Sequence, residues 1–271
     1  MDGILTSRAV ARITGADSRA FLQGLVTSDV LHAEPGSAVF TTLLTPQGKV
    51  LFDFFLAPVE NGFLIDCRAS AIEALVKRLT LYKLRARLTV ELMPGLGVYL
   101  GKRDSGAPAE TSYGDPRLAE LPSRMIAPRT DDAPSADDYY AERRRKLGVA
   151  EFGEDFDGEE VFLLDVNYDA LNGVSYQKGC FVGQEVTSRM KRKGEIRKRT
   201  LIAAYSGAPP EKSTPLLAGE TEIGRILSAG AGTALALVRI DRMREALDAG
   251  ATVIAGQAVA HLSFPPYLKT A

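Results

Sequence analysis

GVSYQKGCFVGQEVTSRMKRKGEIRKR, residues Gly173 to Arg199, is the stretch on which the reading of this chain turns. Lys178-Gly179-Cys180 leads through Gly183 into Gln184–Arg192, where Val186 and Met190 stand four apart, the spacing of one helical face. With Cys180 ahead of a helix start, backbone N–H groups and Lys178 would favour the thiolate and make it reactive. The competing reading is a buried, inert cysteine between glycines needed for a turn. The bases Arg189, Lys191, Arg192, Lys193, Arg197, Lys198 and Arg199 face only Glu185 and Glu195, a local excess of five positive charges. Three readings of that stripe stay open: a solvated linker face, a clamp for a carboxylate tail, and an RNA contact. The stripe has no interleaved aromatics, so the RNA reading is the least favoured.

Upstream, Asp17 is placed to cap a short helix carrying Phe21, Leu22 and Leu25. Residues 38–57 read as two strands about Thr45-Pro46-Gln47-Gly48, with Pro and Gly placed for a type I turn. On the second strand the two-residue period puts Asp53 in a row with Lys49, Leu51, Phe55 and Ala57. A carboxylate there is either a working group or a strand-edge residue facing solvent. A strand at 63–65 follows, and Ser70-Ala71-Ile72-Glu73 has capping-box spacing before Ile72, Leu75, Val76 and Leu79. Strands are expected at 88–92 and 98–100. Five of the 14 prolines fall between Lys102 and Asp138, which predicts a long surface connection with a short ordered piece near Met125-Ile126. A helix is expected over 138–147. The run from Glu151 to Glu160, acidic and without a base, reads as a solvated loop. Beyond Arg199 short β-like runs at 200–205, 222–227, 234–240 and 258–264 predict a small barrel or sandwich, with the boundary near Lys198.

Composition narrows the classes of function. The chain has 271 residues, a formal charge of −1 and two distant cysteines, Cys67 and Cys180. Neither a disulfide framework, a CxxC pair nor a resident four-thiolate cluster is available, and His32 and His261 are too far apart for a local zinc motif, so no metal site is expected. Cys67, at a strand end, reads as inert. No apolar run reaches spanning length and the first eight residues lack a signal peptide's pattern, so the sequence predicts no membrane association and a cytoplasmic location. Gly95 to Gly101 has the wrong glycine spacing for a dinucleotide loop and reads as turn and strand, and GxxxxGK(S/T), HExxH and GxSxG are all missing.

Lys178-Gly179-Cys180-Phe181-Val182-Gly183-Gln184-Glu185 resembles the K-G-C-(F/Y)-x-G-Q-E signature of the YgfZ family, folate-binding factors of iron–sulfur protein maturation with a mitochondrial branch. The resemblance extends to Phe21–Asp29, Thr45–Lys49, Tyr82–Ala86 and Leu171–Ser175, nearly the full length. That family is similar in turn to the T-protein of glycine cleavage, a tetrahydrofolate-dependent aminomethyltransferase. The resemblance implies an α+β, T-protein-like three-part ring, two interlocked α/β parts and a C-terminal β-barrel. Residues 1–198 would form the folate-binding region and 199–271 the barrel. It implies tetrahydrofolate or a one-carbon derivative near Asp53, Tyr82, Asp165, Asn167, Gln184 and Glu185, with Arg189 of the basic stripe available to a carboxylate. Asp53 matches the aspartate that orients the reacting folate nitrogen in T-proteins. Asp165-Val166-Asn167 stands where the family usually has Glu-x-Asn. Many T-proteins have an acidic residue where Cys180 stands, so the thiol marks the maturation branch. The expectation is an accessory factor, rather than an enzyme, that supports iron–sulfur cluster assembly or repair in client enzymes, tRNA-modifying ones included. Cys180 and Lys178 would be its working residues, and iron–sulfur client or assembly proteins its partners. The alternative is a folate-dependent one-carbon transferase or demethylase using Asp53.

Overall fold

The computed structural model describes residues 3–101, 109–130, 132–192, 194 and 196–268. Contacts divide the chain into two compact units, Met1–Tyr140 with Leu171–Gln184, and Ala141–Ala170 with Glu185–Ala271.

The first unit runs β1 (Gly3–Ile4), β2 (Arg8–Thr14), α1 (Ser18–Gln23), β3 (Val39–Leu44), β4 (Val50–Val59), β5 (Gly62–Arg68), α2 (Ile72–Tyr82), β6 (Thr89–Leu92), β7 (Leu96–Leu100), β8 (Thr111–Tyr113) and β9 (Arg124–Pro128), and enters α3 (Asp137–Leu147). Its strands form a five-stranded sheet, β3-β4-β5-β2-β6, and a four-stranded one, β1-β7-β9-β8. The expected hairpin is present: Gly48 N–H donates to the Thr45 carbonyl at 2.8 Å, and β3 pairs antiparallel with β4. β4 lies between β3 and β5, which pair with both its edges, and the residues of both its faces are buried from Asp53 to Pro58. Asp53 is wholly buried, which removes the solvent-facing reading.

Two helix starts form without the caps read from the sequence. Asp17 flanks α1 but makes no side-chain cap; its carboxylate accepts instead from the backbone N–H and guanidinium of Arg87. α2 begins after Ala71, and no capping box forms at Ser70.

In the proline-rich stretch the ordered piece expected near Met125-Ile126 is present as β9, and β8 is an addition to it. Prolines forbid long regular elements but leave room for β8 and the buried β9 between them. These strands carry a buried ionic cluster. Asp66 on β5 accepts from Arg8 Nε at 2.6 Å, Arg124 Nη1 at 2.7 Å and the Tyr113 hydroxyl at 3.0 Å. Asp115 takes Arg117 Nη2 at 2.7 Å, and both Arg117 and Arg124 donate to the Tyr140 hydroxyl. The three guanidiniums surround Phe55, that of Arg124 lying 4.1 Å from the ring centroid. Burial opposes ionisation of Asp115, yet Arg117 and Arg124 beside it hold its carboxyl below the usual range. Burial, reinforced by the Asp66 carboxylate, pushes the Tyr113 hydroxyl well up, which keeps it a neutral donor.

The second unit takes up the rest of α3, then α4 (Gln184–Arg192) from Glu185 on, β10 (Lys198–Tyr205), β11 (Pro215–Ala218), β12 (Thr221–Gly230), β13 (Thr233–Arg239), α5 (Ile240–Asp248), β14 (Val253–Ala255) and β15 (Ala258–Ser263). The six strands close as β10-β13-β12-β11-β14-β15 around Leu201, Leu216, Ile226, Ala236 and Val238. The expected strands are there; β11, β14 and α5 were not read from the sequence, the two strands being only four and three residues long.

The acidic run is solvated at Asp157–Glu159 but not in its first part. Arg144 of α3, itself buried, gathers it: Asp155 and Glu154 each lie 2.7 Å from its guanidinium, and the Asp155 carboxylate also accepts from Glu151 N–H. Among the described residues no helix is long and apolar enough to cross a membrane.

Candidate functional site

The segment Leu171–Gln184 belongs to the first unit, and it is stitched there residue by residue. Thr27 Oγ1 donates to the Gly173 carbonyl at 2.6 Å, and Ser175 N–H to the Thr27 carbonyl at 3.0 Å. Next, Lys178 turns its ammonium onto two backbone acceptors, the Val26 carbonyl at 2.5 Å and the Ser28 carbonyl at 2.9 Å, beyond the end of α1. Gln23 donates to the Lys178 carbonyl at 3.4 Å while its own carbonyl oxygen takes Val30 N–H at 3.0 Å. The Lys178 ammonium also lies 5.5 Å from the ring centroid of the buried Phe181. Burial lowers the Lys178 pKa to about 8, against the opposing pull of the Asp29 carboxylate.

Between these anchors the chain is released. Gly179 has φ +84° with open space where a Cβ would stand, and Cys180 is exposed. Gly183 closes the loop at φ +81°; a Cβ there would lie 2.7 Å from the Thr45 carbonyl oxygen and 3.1 Å from Gly48 Cα. The loop thus rests on the β3–β4 turn through a backbone approach that only glycine permits. Helix α4 begins at Gln184, four residues past the thiol, and the Lys178 ammonium is engaged by carbonyls. Lys178 is accordingly a tether for the loop. Lys178→Met is expected to cost about 1–3 kcal/mol, since two carbonyls lose a charged donor. Urea denaturation reads this directly, and an unchanged midpoint would remove the tether.

The other residues singled out by sequence divide between the units. Asp53, in β4, follows the turn that supports the loop, and Tyr82 ends α2 with the Arg78 guanidinium 5.9 Å from its ring centroid. Gln184 is half-buried and donates its backbone N–H to the Phe181 carbonyl at 3.2 Å. In the second unit Asp165 is buried and accepts from Phe162 N–H at 3.1 Å. Asn167 holds φ +63°, a left-handed conformation Asn tolerates. Its Nδ2 donates to the Thr200 carbonyl at 2.8 Å and the Tyr267 hydroxyl at 3.1 Å, while its buried Oδ1 has no hydrogen-bond partner among the described residues. Glu185 and Arg189 are exposed on α4. Lys193 and Glu195 of the basic stripe lie outside the described residues, and Arg199 is paired with Asp169 at 2.5 Å. Cys67 is buried, and desolvation pushes its thiol up to about 12, so the inert reading fits it. Gln23 and Thr27 were not singled out as functional from sequence, although both fall in the matched stretch Phe21–Asp29.

Residues 197–269 match the family model described as the CAF17 C-terminal beta-barrel domain. The whole fold is that of the T-protein class: it overlays the crystal structure of the glycine cleavage system aminomethyltransferase T from Bartonella henselae with a TM-score of 0.71 at 16% identity, over 98% of this chain and 86% of that one. Among curated proteins, the mitochondrial iron-sulfur cluster assembly factor IBA57 homologue of Pyricularia oryzae is 30% identical over 281 residues, covering 89% of this chain and 72% of its own length. The human IBA57 is 28% identical over 280 residues, covering 89% of this chain and 78% of its own length. The Neurospora crassa homologue is 31% identical over 239 residues, covering 76% of this chain; the chain spans 54% of that relative's length. The chain belongs to the family of IBA57 iron–sulfur cluster assembly factors. These relatives are named as mitochondrial proteins, and this corrects the cytoplasmic expectation, which rested on features missing from the sequence.

Proposed function

We propose that the chain is an accessory factor in iron–sulfur cluster assembly, with Cys180 as the thiol that transiently ligates a cluster passing to a client protein. The observation that carries this reading is an exposed cysteine on a glycine-released loop fixed at both ends, by Lys178 and by Gly183, in a member of this family. A thiol that hands cargo on needs access and a defined position, and the loop provides both. The cluster is cargo; the two cysteines of the chain cannot supply the four thiolates of a resident one.

Tetrahydrofolate is the ligand we assign beside this role, and the orphaned Oδ1 of Asn167 supports it as an acceptor for a pterin N–H. Enzymes that modify tRNA are the proposed clients. Client activity in cells carrying Cys180→Ala is expected to fall to the level of cells lacking the protein, and Cys67→Ala to leave it near normal. Equal loss in both, or loss in neither, would overturn the assignment. Titration of the purified protein with tetrahydrofolate, repeated on Asn167→Ala, tests the ligand by itself; no saturable binding removes it.

A further inference from the structure

A cavity of about 210 Å³ opens in the barrel wall, lined by Lys198, Glu222, Gly224, Arg225, Leu237, Arg239 and Arg242. We propose that it is a binding site for a phosphate group, free or carried as a monoester. Four of the seven lining residues are cations, and two stand directly across the β10–β13 pair, Lys198 opposite Arg239. Arg239 has the Asp241 carboxylate beside it, whereas the Lys198 side chain has no carboxylate partner among the described residues, and an anion at this point of the wall supplies one.

The arginines are already held in place. Arg242 Nη1 donates to the Glu222 carbonyl at 2.9 Å, which leaves the rest of its fork free to turn to a ligand. Arg239 is clamped through two hydrogen bonds to the Asp241 carboxylate, at 3.0 and 2.6 Å, and Arg225 pairs with Glu160. The Lys198 side chain makes no hydrogen bond or ion pair among the described residues. Preorganised donors lose little freedom on binding, and a tetrahedral anion has enough acceptor oxygens to meet several of them from different directions. Gly224 contributes to the shape, since a Cβ there would lie 2.2 Å from the Leu237 carbonyl oxygen; the strands approach too closely for any side chain. One compact cavity fits a single group better than a polymer. The carboxylates of Glu222, Glu160 and Asp241 interrupt the cationic surface, and the lining has no aromatic ring on which a base could stack.

Calorimetric titration of the full chain with inorganic phosphate, in chloride buffer, tests the site, with glycerol 3-phosphate as a second arm and acetate as a control. Saturable phosphate binding is expected, weakened about tenfold or more by Lys198→Gln, with the unfolding midpoint of that variant in chloride unchanged, and weakened again by Arg242→Gln. Tighter binding of the ester assigns the group to a larger molecule; tighter binding of phosphate assigns the free anion. No saturable binding, equal binding of acetate, or undiminished binding by the two variants would overturn the site. So would a short RNA that binds through the same residues when phosphate does not.

Discussion

Asp66→Ala is expected to destabilise the protein by about 3–5 kcal/mol, the cost of leaving buried charge uncompensated. The carboxylate meets two guanidiniums, Arg8 and Arg124, and the Tyr113 hydroxyl, with the side chains of Asp66, Arg8 and Arg124 at 0% exposure. Removing it leaves three buried arginines with Asp115 as the remaining carboxylate of the cluster described above, and no water takes its place cheaply. Denaturant unfolding measures the loss. Asp17→Ala is the comparison, because the Asp17–Arg87 pair is exposed and solvent screens such pairs, so a much smaller shift is expected there. Similar shifts in the two variants would show that burial of the cluster is not what makes it matter.

The second large effect is expected at Gly183. An alanine there must adopt φ +81° and place its Cβ 2.7 Å from the Thr45 carbonyl oxygen and 3.1 Å from Leu44 Cβ. The neighbours are the backbone of a tight turn and a packed strand residue, so neither yields without moving the hairpin. A cost of about 2–5 kcal/mol follows from left-handed strain together with overpacking. Gly179→Ala separates the two components: its φ is +84°, but the space beyond it is open, so about 1–2 kcal/mol is expected there. Client activity should drop with Gly183→Ala toward the level of Cys180→Ala and stay higher with Gly179→Ala. Equal stability losses at the two glycines would show that the approach to Thr45 is not a constraint.

Sequence made the local features legible and hid those that depend on distant partners. The hairpin about Pro46 and Gly48, helix α2, helix α4 and four barrel strands follow from turn chemistry and periodicity within short windows. The acidic run from Glu151 to Glu160 looked solvated because it contains no base; its counter-charge, Arg144, sits on the preceding helix and turns inward. Among the prolines the ordered piece near Met125-Ile126 is legible and is β9, whereas β8, only three residues long, leaves no pattern to read. At the site, Lys178 and Cys180 were visible as a motif. The acceptors of Lys178 were not, because they are backbone carbonyls, identical in every residue, lying 152 and 150 positions earlier.

That separation has a consequence during synthesis. The Val26 and Ser28 carbonyls leave the ribosome long before their ammonium partner exists, and at roughly 5–20 residues per second the wait is about 8–30 s. Throughout it the first unit lacks its closing segment while residues of the second are already emerging. The thiol loop is therefore among the last pieces of that unit to be set in place, and a nascent chain stalled before residue 178 carries both sheets of the first unit without the cysteine that they are built to present.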